Sequence, residues 1–106
     1  MKREDILQQR FVQDFSFVAR NIGGEYLLVP IRQPAGEESS IFALNEVSGF
    51  IWEQIDGQRP VHQIRDALVQ EFDVIPDQAE ADLIDFLQQL AEVGAIHAAP
   101  EDRPSG

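Results

Sequence analysis

With 106 residues, 43% of them hydrophobic, the chain has material for one domain, residues 1–106, around a single modest core. Its 19 acidic against 8 basic side chains give a net charge of -11, which opposes a nucleic-acid partner, because that affinity comes largely from Lys and Arg on phosphates, and opposes an anionic membrane surface for the same reason. The absence of cysteine removes disulfides, thiolate nucleophiles, iron-sulfur ligation and cysteine zinc sites.

The opening MKREDILQQR is charged and has no apolar stretch of the kind a secretory signal requires, and no run approaches the roughly 18 apolar residues of a membrane span. Cytoplasmic residence is the expectation. Both ends are polar, so residues 1–10 and 99–106 are read as mobile and the ordered core as about residues 11–98. Phe15, Phe17 and Ala19 alternate with Ser16, Val18 and Arg20, the period of a strand. Asn21, Ile22, Gly23 and Gly24 follow as a turn, since Gly tolerates positive φ at no steric cost. Residues 25–31 give a second strand with Leu27 and Val29 on one face and Tyr26 and Leu28 on the other, interrupted by Pro30. Residues 32–40 have loop composition and lead into a short third strand made of Ile41, Phe42, Ala43 and Leu44.

Three helices follow. Asn45 is placed to cap the first, which runs to about Ile55, and Asp56 and Gly57 end it with turn chemistry. Pro60 suits the first turn of the second helix, predicted over residues 61–72. Asp77 and Glu80 have the spacing of a capping box for the third, and Gly94 stops it. Phe50, Ile51 and Ile55, then Ile64, Ala67, Leu68 and Phe72, then Leu83, Phe86, Leu87 and Leu90 recur at spacings of three and four and predict one shared core. Trp52 is assigned to that core or its margin.

Candidate chemistry is sparse. His62 and His97 are far apart in sequence with no imidazole at helical spacing, so no metal site is predicted; His62 reads as a solvent-facing residue and His97 as part of a terminal extension. The acid pairs Glu37 with Glu38 and Asp82 with Asp85 read as solvated charge, and no glycine-rich phosphate loop or nucleophile elbow occurs. No cofactor and no catalytic residue is expected, and the chain is read as no enzyme. The third helix carries Asp77, Glu80, Asp82, Asp85 and Glu92 without a single Lys or Arg, which bars it from a phosphate-lined groove. Its apolar residues fall in two stripes: Leu83, Phe86, Leu87, Leu90 and Val93 form the docking face. Ala81, Ile84, Gln88 and Ala91 form a shallower second one, which either widens the core face or leaves a shelf where another chain could lie.

The order of strands followed by three helices, with IWEQIDG at 51–57 and FLQQLAEVGAI at 86–96, resembles the PqqD family, the small proteins of pyrroloquinoline quinone biosynthesis and related peptide-recognition domains, over about residues 11–97. The resemblance implies an α+β, winged helix-turn-helix-like fold: a three-stranded antiparallel sheet followed by three helices. It also implies a precursor leader peptide as partner, held between the third strand and third helix and presented to a modifying enzyme, commonly a radical S-adenosylmethionine protein. Carried over by position, Ile41, Phe42, Ala43 and Leu44 are the pairing edge and Ala81, Ile84, Asp85 and Gln88 the facing wall. The precursor and its pathway, quinone, lasso peptide or other, are not written in the chain. Two other classes stay open: a winged-helix regulatory or adaptor protein acting through protein contacts, and a small enzyme. An unprotected strand edge is compatible with a monomer or an edge-paired homodimer.

Overall fold

The computed structural model describes residues 3–31 and 41–99, and the predicted loop at 32–40 lies outside them. In chain order the elements are helix α1 (Arg3–Leu7), strands β1 (Arg10–Gln13), β2 (Phe17–Ile22), β3 (Glu25–Pro30) and β4 (Phe42–Leu44), helix α2 (Glu46–Gln54), strand β5 (Asp56–Pro60), helices α3 (Val61–Glu71) and α4 (Pro76–Glu92), and strand β6 (Ile96–Ala98). The fold is α+β, with a three-stranded antiparallel sheet ordered β2-β3-β4 ahead of three helices, as expected. Gly23 and Gly24 both take positive φ and turn β2 directly into β3, pairing Ile22 with Glu25 and, at the far end, Phe17 with Pro30.

A second sheet, ordered β5-β1-β6, was not foreseen. Four readings are corrected with it. Asp56 and Gly57 do not merely end a helix but open β5, and Pro60 caps α3 from outside instead of sitting in its first turn. His97 lies in β6 opposite Val12, not in a loose extension. Residues 3–10, read as mobile, supply α1 and the start of β1 and bury Ile6 in the core, while residues 1–2 lie outside the described residues. The strands were missed for one reason: their pairings join segments more than forty positions apart, and local periodicity carries no trace of them.

The strand expected to include Phe15 begins at Phe17. Asp14 closes a tight turn between β1 and β2 by accepting hydrogen bonds from the Ser16 N–H and hydroxyl, and Phe15 is left 91% exposed at its tip. Asn45 caps α2 as predicted: its side chain accepts the Ser48 N–H at 2.8 Å and its own N–H donates to the Ser48 hydroxyl at 2.9 Å. The predicted Asp77 and Glu80 box does not form, because Pro76 occupies the first helical position after Ile75, and Glu80 turns instead to Arg65 on α3 at 2.8 Å. Glu80 first, then Asp66, hold the Arg65 guanidinium above its ordinary range. Gly94, at φ 79, ends α4 in a Schellman arrangement in which the N–H of Ala95 donates to the Leu90 carbonyl and that of Gly94 to Ala91.

The core joins both sheets to the helices: Phe11, Leu28, Leu44, Ile51, Ile64, Leu68, Leu83, Leu87, Leu90 and Ile96 are buried together. Trp52 is 4% exposed and belongs to the core, with the Gln13 side chain donating to its carbonyl at 2.7 Å. Burying a Leu or Ile side chain contributes about 1.5–3 kcal/mol, so this shared cluster dominates the stability of the fold.

Candidate functional site

Strand β4 has β3 on one side and, among the described residues, no strand on the other. Edge strands usually carry a device against unwanted pairing. β5 has Pro60, Arg59, Asp56 and an irregular register opposite β1, β2 has Arg20, and β6 has His97. β4 reads Phe-Ala-Leu and has none of these. Leu44 is buried and Phe42 half-buried against the core, so one face is anchored, while Ala43 on the other face and Ile41 before the strand are exposed, Ile41 by 53%. An anchored but unpaired and uncharged edge is a template for an incoming strand.

On α4, Leu83, Leu87 and Leu90 are buried as the predicted docking face. Ala81 and Ile84 are half-buried, Ile84 packing on the margin of the same core that Phe42 packs on, and Asp85 and Gln88 are exposed. Asp85 accepts from the Gln89 side chain at 3.2 Å, and Asp82 from Gln78 at 2.9 Å, so both carboxylates are solvated and locally bonded.

Next to β4 the structure opens a cavity of about 940 Å³. Ala43 and Leu44 line it from the strand; Asn45, Glu46, Gly49, Phe50 and Glu53 from α2; Gly24, Glu25 and Tyr26 from the hairpin; Glu71 and Phe72 from the end of α3. None of Ala81, Ile84, Asp85 or Gln88 reaches it. The Phe50 and Phe72 rings meet edge to face at 5.5 Å. Gly49 lets Tyr26 lie against the helix backbone, since a Cβ there would stand 2.9 Å from the Tyr26 ring. A mid-helix Gly costs about 0.5–1 kcal/mol relative to Ala, and this close approach is its structural return. The Tyr26 hydroxyl sits 3.4 Å from the Glu53 carboxylate; loss of solvent, and then the charge of Glu53, push the phenol up from its ordinary range. Every charged residue of the lining is a glutamate. The aromatic trio escaped sequence reasoning because its members come from three elements; Gly49 inside a helix was the available signal.

His62 is half-buried early in α3, and His97 Nε2 lies 2.6 Å from Asp14 Oδ1. The Ser16 hydroxyl foremost, then the His97 ring, lower the Asp14 carboxyl to about 2. That trio ties the β1–β2 turn to β6. Glu37 and Glu38 lie outside the described residues. Among the described residues no group of three or more His, Cys, Asp or Glu is placed to hold a metal ion, and no helix is long and apolar enough to cross a membrane.

Residues 25–96 match the family model of coenzyme PQQ synthesis protein D, PqqD. No curated protein matches the chain. Among solved structures, TbiB1 in complex with the TbiA(beta) leader peptide is similar with a TM-score of 0.66 and 24% identity, covering 85% of this chain and 99% of that one; at this identity the likeness speaks to the fold.

Proposed function

The chain belongs to the PqqD family, and from that premise we propose that it is a non-enzymatic peptide chaperone, capturing the leader segment of a ribosomally made precursor by strand addition and presenting it to a modifying enzyme. The observation that carries this reading is the edge of β4, which no strand among the described residues covers and which has no charge, proline or bulge. TbiB1, which shares the fold, is bound to a leader peptide. An extended leader pairing with Ile41, Phe42, Ala43 and Leu44 gains backbone hydrogen bonds worth about 0.5–1.5 kcal/mol each, net of those lost to water. Ala81, Ile84, Asp85 and Gln88 of α4 supply the wall that reads its alternate side chains. A radical S-adenosylmethionine or other peptide-modifying enzyme is the partner that receives the peptide, in the cytoplasm, from a monomer or an edge-paired dimer that the leader dissociates.

The test is an amide NMR titration with the leader of a precursor encoded beside this gene. Shifts concentrated in residues 41–44 and 81–88 are the expected result. Ile84→Asp, which sets a charge where an apolar anchor belongs, weakens binding by about ten- to a hundredfold, or roughly 1–3 kcal/mol. Wild-type shifts confined to other residues, or unchanged affinity in a folded Ile84→Asp protein, would remove the site from where it is proposed.

A further inference from the structure

The cavity beside β4 is not needed to make a strand pair, yet it shares Ala43 and Leu44 with the pairing edge. Its floor is aromatic, with Tyr26, Phe50 and Phe72 all half-buried, and its mouth carries Glu25, Glu46, Glu53 and Glu71, all exposed. No Lys, Arg or His is among its lining residues, and no ion pair among the described residues engages any of the four carboxylates. Four like charges around one opening make the local potential negative and favour a cation there. A bare acidic surface would be satisfied by salt and water; an aromatic floor beneath acids asks for a group that is apolar along its length and positive at its end. Arginine answers both demands, its methylene stem lying on the rings and its guanidinium reaching the carboxylates.

We propose that this cavity is a specificity pocket for an arginine side chain of the same peptide that adds to β4, an inference that rests on the strand-addition reading. A chain paired along Ala43 and Leu44 runs directly past the cavity, so one residue of it projects between α2 and the end of α3. Gly49 lets the Tyr26 ring lie against the helix backbone, which sets that ring in the cavity lining. An acidic or phosphorylated side chain at that position is repelled by all four glutamates.

The full-length protein, labelled for NMR, is titrated with the blocked peptide acetyl-Thr-Val-Thr-Arg-Thr-Val-amide and with analogues carrying citrulline or glutamate in place of arginine. Citrulline keeps the shape and removes the charge. The arginine peptide is expected to shift Gly49, Phe50, Glu53, Glu71 and Phe72 and to bind about five- to tenfold more tightly than the citrulline peptide, with the glutamate peptide weakest. The advantage shrinks as salt is raised, and the Glu53→Gln, Glu71→Gln double variant, both sites being exposed, reduces it toward unity. Equal affinity for arginine and citrulline, an advantage that survives the double variant, shifts away from the cavity, or no binding of any probe would overturn the proposal. Shifts confined to residues 41–44 with no preference among the peptides would overturn the arginine pocket while leaving strand addition standing.

Discussion

The two sheets share one core and are built in opposite ways. β2, β3 and β4 follow one another along the chain and are joined first by a two-glycine turn. β5, β1 and β6 are drawn from the middle, the start and the end of the described chain. Closing such long loops costs entropy that the pairing alone does not return, so the second sheet depends on Phe11 and Ile96 being buried with the helices. The sheet assembled from distant segments guards its outer strand β5 with charge, Pro60 and an irregular register, whereas the local sheet leaves β4 bare. One sheet closes the fold and the other presents an edge.

The largest test of that contrast is whether the two sheets nevertheless unfold together. Leu28 of β3 is 0% exposed and Ile96 of β6 is 1% exposed, so Leu28→Ala and Ile96→Ala should each cost about 2–5 kcal/mol. In urea, far-ultraviolet circular dichroism and the fluorescence of the lone, buried Trp52 should report one coincident transition in both variants. Separate transitions would mean that the sheets are independent units.

Next in size is the edge itself. Ala43→Pro removes a backbone donor from β4 and should weaken leader binding by at least about a hundredfold, or ~2.7 kcal/mol. Arg59→Pro on guarded β5 should leave affinity unchanged. Calorimetric titration, with Trp52 fluorescence as a check on folding, separates the two strands, and equal losses would erase the distinction between them.

A smaller effect probes the guarded sheet. Gly57 has φ 82, and a Cβ there would lie 2.6 Å from Val12 Cγ1, so Gly57→Ala should destabilise by about 1–3 kcal/mol. Adding Val12→Ala should return part of that loss in a double-mutant cycle, because it removes the clash but not the strained backbone. Full additivity would show that Val12 does not meet the new methyl.

The smallest effect is set by pH. The Asp14 carboxyl, lowered from 3.8 to about 2, binds its proton more weakly in the folded chain, so its contribution is fully present above about pH 4 and lost as pH falls toward 2. Solvent screening keeps it to about 1 kcal/mol or less. Ser16→Ala removes the foremost cause, so the Asp14 carboxyl resonance should titrate closer to the ordinary carboxylate value; an unmoved midpoint would assign the shift to His97 instead.

What could be read from the sequence divides along the same line. The hairpin at Gly23 and Gly24, the Asn45 cap, the three helices and their core stripes all depend on neighbours within a few positions, and each stands where it was expected. β5 reads Asp-Gly-Gln-Arg-Pro, a turn by composition, and becomes a strand only because β1 lies beside it. α1 is five residues long and, among its described side chains, buries Ile6, too little for a periodic signal. The β4 edge was legible as a short apolar strand, whereas the neighbouring aromatic cavity exists only once three separate elements have met.

The Schellman ending of α4 ties that helix to the second sheet. Only Val93, Gly94 and Ala95 separate its last turn from β6, so its C-terminal end cannot swing without peeling β6 from β1. Its N-terminal end follows the exposed Val74 and Ile75 and is pinned to α3 by the Arg65–Glu80 ion pair. The helix is therefore held at both ends, and Ala79, Leu83, Leu87 and Leu90 fasten it to the core between them. A helix fastened in this way is a stiff beam, and the amides around Leu90 are expected to be among the slowest to exchange with solvent.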